Sequence, residues 1–141
     1  MDSTLHEKYK HVKFSDELVD MYIEILNQDD SLSKVFNYIA IEERRQIKEE
    51  RHVGITINDI VENVSTVRAT RQSTGKSYKY VNTNTKIHRK TAEKIVDKLL
   101  CMSLLYYKPV KPYKMLFLTS RGKQVLIKIV DMKSKHKEME N

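Results

Sequence analysis

Two stretches near the N-terminus repeat apolar residues at the spacing of an amphipathic helix. The first helix is predicted to start at Ser15, because serine is a good N-cap residue and two acidic residues follow it in the first turn. Its apolar stripe consists of Leu18, Tyr22, Ile25 and Leu26, widened by Val19 and Met21. The second helix is predicted from Asp30 or Ser31, with a buried face of Leu32, Val35, Phe36, Ile39 and Ala40. Residues 42–50 contain one apolar residue, Ile47, so we expect a solvated helical arm that stops at Gly54.

The middle of the chain combines a short helix with a long polar segment. Thr56 to Asp59 resembles a capping box with Asp in place of the usual Glu. Ile57, Ile60, Val61 and Val64 follow at helical spacing over about two turns. Residues 65–84 lack apolar periodicity and are rich in Ser, Thr, Asn and Tyr. We interpret them as a long loop or ribbon that is mobile in the free protein.

The C-terminal part of the chain predicts a helix, a hairpin and a final helix. Asn84 or Thr85 can cap the first of these helices, whose inner face is Ile87, Ala92, Ile95, Val96, Leu99 and Leu100. Residues 104–108 and 114–118 are predicted as strands around a turn at 109–113, because the two prolines there forbid continuous pairing. Thr119 or Ser120 can cap the last helix, which buries Val125, Leu126, Ile129 and Val130.

These elements predict a fold that is mainly α with a small β-hairpin wing. One domain is expected over residues 15–132. It consists of the part that carries the hairpin and of additional N-terminal helices. A polar arm at 1–14 precedes the domain, and a polar tail at 133–141 should fray at the other end.

Composition limits the classes of protein that fit this pattern. The chain has 141 residues, 40% of them apolar, with three glycines and two prolines, which suits one helix-rich domain with a packed core. No apolar run approaches the ~20 residues that span a bilayer, and the polar start does not resemble a signal peptide. We therefore expect an intracellular, cytoplasmic protein. The single cysteine, Cys101, is predicted to be buried, with a disulfide across a dimer as the alternative.

Charge divides the chain into two unlike parts. Residues 1–64 hold 8 Lys and Arg against 14 Asp and Glu, a net of −6, whereas residues 65–141 hold 18 against 5, a net of +13. A split of this size indicates that the second part meets a polyanion. From Ser65 to Ala92 there are seven Lys and Arg and no acid, interleaved with Ser, Thr, Asn and Tyr side chains that also donate to phosphates.

The order of the predicted elements and two motifs point to a family. A helix, a short helix, a basic helix, a two-stranded hairpin and a helix follow one another as in a winged helix-turn-helix. Residues 91–99, T-A-E-K-I-V-D-K-L, resemble the recognition-helix pattern T-V-S-R-I-V-D-R-L of MarR-type regulators. Residues 118–126 are similar to their L-T-x-x-G-x-x-L pattern after the wing, with the final leucine one position later. The resemblance spans residues 87–126.

The resemblance implies a DNA-binding regulator whose basic helix enters the major groove and whose hairpin is the wing. The chain departs from the family at three places. Ser103 stands where a glycine is usual, the wing lacks the D-x-R signature, and segment 65–84 replaces a tight turn. No ligand pocket is carried over, so any small-molecule effector is unknown.

The candidate DNA-binding residues lie in three parts of the chain. Arginine can contact guanine in a bidentate way, and Lys, Arg, Ser and Thr contact phosphates. On the basic helix the candidates are Lys86, His88, Arg89, Lys90, Thr91 and Lys94. In the inserted segment they are Arg68, Arg71, Lys76 and Lys79, and on the wing Lys108, Lys111 and Lys114. Arg89 and Lys90 are expected on the exposed face of their helix.

No residue pattern predicts an enzyme, a metal site or a cofactor. The five histidines are scattered, without cysteine partners or H-x-x-x-H spacing. The acidic pairs at 29–30 and 42–43 are interpreted as solvated helix surface rather than as an acid–base site. Tyr106, Tyr107 and Tyr113 are interpreted as packing within the wing rather than stacking on single-stranded bases.

The predicted function is sequence-specific binding of double-stranded DNA by a homodimer that represses transcription. The N-terminal helices carry more apolar surface than a small wing domain needs, so the dimer interface is assigned to Leu18, Tyr22 and Ile25. Two alternatives stay open. One is a plasmid or viral protein for DNA segregation or replication, which binds arrays of repeats. The other is a winged helix used for protein–protein interaction, which binds DNA weakly and without salt dependence.

Overall fold

Six helices and two hairpins make up the part of the chain that the structure describes. The computed structural model describes residues 3–140, without the side chains at positions 68, 70, 74 and 138–140. The elements are α1 (Ser3–Lys8), α2 (Asp16–Asn27), α3 (Asp30–Lys48), α4 (Ile57–Asn63), β1 (Ser65–Thr74), β2 (Ser77–Lys86), α5 (Arg89–Cys101), β3 (Leu105–Val110), β4 (Tyr113–Leu118) and α6 (Ser120–Glu140). The fold is mixed α/β, whereas the sequence predicted one hairpin in a mainly α protein.

The strands form two separate antiparallel groups. β3 pairs with β4, and Ile55 adds a third, one-residue strand through an antiparallel bridge to Leu116. β1 and β2 form a hairpin of ten-residue strands that pairs with no other strand in the described part of the chain. Pro109 lies inside β3, so the predicted turn over 109–113 is too wide. An edge strand such as β3 tolerates proline because one side of it needs no hydrogen-bond donor.

The core lies between α3, α5 and the β3–β4 sheet. Phe36, Ile39, Leu99 and Leu105 are fully buried there. α2 and α6 pack against each other and against α3 on its other side. Each such side chain contributes about 1.5–3 kcal/mol when it leaves water, so these apolar faces fix how the helices surround the sheet.

Three helices begin where the sequence predicts, because the expected side chains cap them. The hydroxyl of Ser15 accepts the backbone N–H of Leu18 at the start of α2. Thr56 and Asp59 make both hydrogen bonds of a capping box at the start of α4. Thr119 Oγ1 accepts a backbone N–H in the first turn of α6 at 3.1 Å.

The last turns of α3 bury two polar side chains, so this part of the helix is not the fully solvated arm that the sequence predicts. Glu43 and Gln46 are 1% and 4% exposed. Glu43 accepts the backbone N–H of Leu118 and lies 3.0 Å from Nε2 of His52. The amide of Gln46 accepts the N–H of Gly54 and donates to its carbonyl, both at 2.9 Å. Apolar periodicity does not reveal this contact, because the side chains that make it are polar.

α3 also ends at Lys48, before the predicted stop at Gly54. Glu50 takes a left-handed conformation with φ of 58°, and the backbone N–H of Arg51 donates to the carbonyl of Gln46 at 2.9 Å. This is the pattern of a Schellman C-cap. Gly54 has another role, because a Cβ at that position would lie 2.9 Å from the Phe117 ring.

α5 begins later than predicted, with His88 as its N-cap. Asn84 and Thr85, the two expected caps, belong to β2 and pair across the hairpin. Lys86 is therefore the last residue of β2 and lies outside the helix.

Cys101 is exposed, which contradicts the predicted burial. The inner face of α5 ends with Leu99 and Leu100. The next residue is rotated by 100° around the helix axis in a 3.6-residue helix, which turns Cys101 outwards.

The buried stripe of α2 is rotated relative to the predicted one. Val19, Ile23 and Leu26 face the core, whereas the side chains at 18, 21 and 25 remain exposed. Tyr22 is only partly buried and stacks on Phe14, with the ring centres 4.7 Å apart.

Both terminal segments differ from the polar arm and the frayed tail that we expect. α1 packs on β3. The buried guanidinium of Arg121 donates to the carbonyls of Tyr9 at 2.8 Å and Val12 at 2.7 Å, and burial lowers its pKa. At the other end, α6 continues as a helix to Glu140.

The turn between α5 and β3 meets the start of α6. Ser103 is left-handed, with φ of 63°, and its carbonyl accepts the Thr119 hydroxyl at 2.7 Å and Nε of Arg121 at 3.0 Å. A Cβ at Gly122 would lie 2.3 Å from the carbonyl oxygen of Leu104. Space, rather than an unusual backbone conformation, therefore requires glycine at this position.

Replacing Gly122 with Ala is expected to lower the free energy of unfolding by about 1–3 kcal/mol, because the new methyl group must displace the α5–β3 turn. In an open helix the same change raises stability by about 1 kcal/mol, so the sign of the effect tests the contact. Urea denaturation of variant and parent measures it. Lys123→Ala, at an exposed neighbour, is the control and should stay within about 0.5 kcal/mol. A Gly122→Ala protein as stable as the parent would contradict the prediction.

Candidate nucleic-acid interface

The start of α5 carries the first group of predicted residues. β2 leads into α5 through Ile87, whose backbone N–H donates to the carbonyl of Val64 at 3.1 Å. This bond fixes the root of the β1–β2 hairpin and the start of α5 to the end of α4. All six predicted side chains are exposed around this junction, namely Lys86, His88, Arg89, Lys90, Thr91 and Lys94. The expected exposure of Arg89 and Lys90 is confirmed.

Arg89 is held by two side chains of its own chain. Its guanidinium donates to Oδ1 of Asn58, near the start of α4, and lies 3.5 Å from a carboxylate oxygen of Glu93, one turn along α5. The Arg89 side chain is still 58% exposed. Exposed ion pairs contribute at most about 1 kcal/mol, so the guanidinium can exchange Glu93 for another partner at little cost.

The cationic character of α5 is concentrated at its start. Glu93 and Asp97 follow on the exposed side of the helix, and Lys98 lies 4.0 Å from Asp29 of the α3 N-cap. The second half of the exposed face is therefore nearly balanced in charge. A polyanion that approaches α5 meets the most favourable field at the junction with β2.

The β3–β4 hairpin carries the second group of predicted residues. Lys108, Lys111 and Lys114 are all exposed. Lys108 lies 3.5 Å from a carboxylate oxygen of Glu7 in α1, and the ammonium of Lys114 lies 4.9 Å from the centre of the Tyr107 ring. Lys111 occupies the tip of the hairpin.

A shallow groove joins this tip to α5. It has a volume of about 300 Å³ and is lined by the start of α4 (56–58), the tip residues 112–114, Arg89 and Glu93. The β3–β4 tip and the start of α5 thus belong to one continuous surface.

The third group lies on the β1–β2 hairpin, where the inserted loop or ribbon was expected. Strand residues alternate between two faces, and residues paired across strands share a face. One face carries Gln72 and Lys79, and near its root Thr66 is only 6% exposed. The opposite face, which we call the outer face, consists of Ser65, Val67, Ala69, Arg71, Ser73, Tyr78, Tyr80, Asn82, Asn84 and Lys86.

The outer face is exposed along its whole length. Tyr78 and Tyr80 are 64% and 73% exposed. The guanidinium of Arg71 stacks on the ring of Tyr78, 3.5 Å from its centre, and Tyr80 lies directly opposite Arg71 in the register. Arg68 belongs to β1, but its side chain lies outside the described residues.

The sequence contains one signal for this hairpin that apolar periodicity misses. Gly75 and Lys76 form a two-residue loop between the strands, and Gly75 has φ of 65°. Two-residue loops with a left-handed glycine are the commonest hairpin connections. Tyr78, Tyr80, Asn82 and Asn84 are absent from the predicted residues, because a strand that is polar on both faces gives no apolar alternation.

Among the described residues, no three His, Cys, Asp or Glu side chains come together as a metal site would require. Within residues 3–140 no helix combines the length and the apolar content needed to cross a bilayer. No protein-family model, curated protein or solved structure matches the chain. The similarity to MarR-type regulators therefore rests on its motifs alone.

Proposed function

We propose that this chain is a winged helix-turn-helix protein that binds double-stranded DNA in a sequence-specific way. The proposal rests on one observation above all. Two hairpins and the start of α5 present exposed cations on connected surfaces, and residues 65–92 themselves contain no acid. Phosphates attract such a surface, and an α-helix beside it can reach base edges in the major groove.

The order of the elements supports the winged-helix assignment. α3, the one-residue strand at Ile55, α4, α5 and the β3–β4 hairpin occur in this order, with the β1–β2 hairpin inserted between α4 and α5, and Ile55 bridges to Leu116 in β4. In this arrangement α4 and α5 are the helix-turn-helix, α5 is the recognition helix and the β3–β4 hairpin is the wing.

Two details of the α5–β3 turn support the MarR-type resemblance. Ser103, which stands where the family has glycine, adopts a left-handed conformation that glycine favours. Gly122 of the L-T-x-x-G motif packs on the carbonyl of Leu104 in the same turn. The position where the family has glycine and the Gly122 motif thus meet in one turn.

We further propose that the protein acts as a homodimer through α2 and represses transcription by occupying its site. Leu18, Met21 and Ile25 lie at helical spacing and are 40%, 43% and 42% exposed, an apolar stripe that a second copy can cover. Tyr22, which the sequence placed in this interface, instead packs on Phe14. A two-fold dimer presents two recognition helices to half-sites about 34 Å apart.

Arg89→Ala tests the role of α5. The variant is expected to bind its preferred site about 1–3 kcal/mol more weakly and to lose preference at one position, because a bidentate base contact is removed. Fluorescence anisotropy with the preferred site and its single-base variants measures both effects. Lys128→Ala is the control. It removes one positive charge from an exposed position on α6, outside the proposed DNA-binding surface, and should leave the base preference unchanged. Equal binding by Arg89→Ala and Lys128→Ala would remove Arg89 from the reading surface.

The salt dependence of binding tests the cations of the β1–β2 hairpin. Changing Arg68, Arg71, Lys76 and Lys79 to Ser should flatten the slope of log affinity against log salt by about two to four units, because each phosphate contact contributes close to one. The control changes four exposed lysines of α6, 128, 133, 135 and 137, to Ser, which alters the net charge equally. If both quadruple variants keep the parent's slope, the hairpin cations do not contact phosphates. A salt-insensitive parent would favour a protein-interaction module.

Sedimentation velocity tests the dimer. The parent is expected to sediment as a dimer at micromolar concentration, and Leu18→Ser, Met21→Ser and Ile25→Ser together should give a folded monomer, because the stripe that they change lies outside the core. Val110→Ser, at an exposed apolar residue of the wing, should remain dimeric. A monomeric parent would rule out the two-fold arrangement of half-sites.

A further inference from the structure

We propose that the outer face of the β1–β2 hairpin is a second sequence-reading surface, which enters a DNA groove beside α5 and contacts base edges. This inference rests on the proposed function and deepens it. It assigns to Asn82, Asn84 and Arg71 contacts with bases, whereas the cations of the hairpin taken together supply phosphate contacts.

The first argument is the position of the hairpin root. The hydrogen bond from Ile87 to Val64 closes the root at the start of α5, and buried Thr66 anchors β1 to the body of the protein. Lys86, at the root of the outer face, is separated from the exposed start of α5 by two residues. When the start of α5 approaches DNA, the root of the outer face must approach it as well.

The second argument is the order of side chains along β2. From root to tip, the outer face presents Lys86, Asn84, Asn82, Tyr80 and Tyr78 in succession. The cation of Lys86 lies at the root, and Arg71 lies near the tip. Between these cations the two amides project from one strand, and no carboxylate occurs on either face of the hairpin. This arrangement places two short donor–acceptor side chains between Lys86 and Arg71.

The third argument is spacing. Outward residues on one strand are about 6.8 Å apart, because a strand rises about 3.4 Å per residue. Successive base pairs of B-form DNA are also about 3.4 Å apart along the axis. Asn84 and Asn82 can therefore address base pairs two steps apart, and asparagine, like glutamine, can contact adenine through two hydrogen bonds. The major groove is wide enough to admit a two-stranded ribbon.

The fourth argument is that Arg71 is already oriented. Its guanidinium stacks on Tyr78, with Tyr80 opposite it, so the side chain loses less freedom on binding than an unsupported arginine. A stacked guanidinium keeps its donors in the plane that matches guanine or phosphate oxygens. The outer face thus offers one arginine and two amides for reading, over a length of about five residue pairs.

The opposite face does not offer the same contacts. Near the root this face turns Thr66 towards the protein body. DNA could therefore contact this face only in the half of the hairpin near its tip. There Gln72 lies opposite Lys79 in the register. Gln72 carries an amide like that of Asn82 but points the other way, which makes it the matched control.

The test is selection of binding sites from a random duplex library by four proteins: the parent, Arg89→Ala, Asn82→Ala with Asn84→Ala, and Gln72→Ala. The parent is expected to select one continuous site. The double asparagine variant should lose roughly tenfold preference at each of two positions. These positions should lie about two base pairs from each other and differ from the position that Arg89→Ala affects. Gln72→Ala should select the parent's site unchanged. Equal urea midpoints for all four proteins establish that the hairpin is intact.

Each alternative result has a defined meaning. If the parent selects a site and the double asparagine variant selects the same site with the same preferences, the hairpin does not read bases and the proposed function stands. If Gln72→Ala loses preference and the asparagine variant does not, the assigned face is wrong. If binding by the double variant falls equally for all sequences, the outer face contacts only the backbone. If the parent selects no site, the proposed function and this inference are both overturned.

Discussion

Two buried polar side chains at the end of α3 set the position of everything that follows them. Glu43 accepts the backbone N–H of Leu118, and Gln46 makes two hydrogen bonds with the peptide groups of Gly54. The chain is thereby held against β4 where Ile55 forms its bridge. α4 starts two residues later, so its direction depends on this contact. Burying a carboxylate is costly unless its hydrogen bonds are satisfied, and the two oxygens of Glu43 are satisfied by the Leu118 N–H and by Nε2 of His52.

A second group of polar contacts joins the sheet to the C-terminal helix and to the N-terminal segment. The carbonyl of Ser103 accepts hydrogen bonds from Thr119 and Arg121, and the same guanidinium holds the carbonyls of Tyr9 and Val12. One arginine thus joins the α5–β3 turn, the start of α6 and the segment after α1. These contacts hold the end of the β3–β4 sheet where Leu105 pairs with Leu118 against the turn that follows α5.

The sequence predicts those parts of the fold whose signals are local. Caps at Ser15, Thr56 and Thr119 mark helix starts, and apolar periodicity finds α2 to α6, because both depend on residues within one or two turns. It does not reveal that Glu43 is buried, because that depends on tertiary packing, whereas the exposure of Cys101 follows from its position on α5 after Leu100. For the candidate site, charge identifies the cationic residues, whereas their faces on β1 and β2 follow only from the register.

In the inserted hairpin, the strand register decides on which face each charged side chain lies, and the number of charges alone does not. An antiparallel hairpin of ten-residue strands is about 30 Å long, and the described contacts at its root include the hydrogen bond of Ile87 to Val64 and the buried Thr66. A loop of the same composition would average its side chains over all directions. Strand pairing instead places Arg71 and Lys79 on opposite faces, so no single flat surface can use both. Because the root lies beside the start of α5, the register separates the hairpin into an exposed face that continues from the start of α5 and a face that turns towards the protein body at its root.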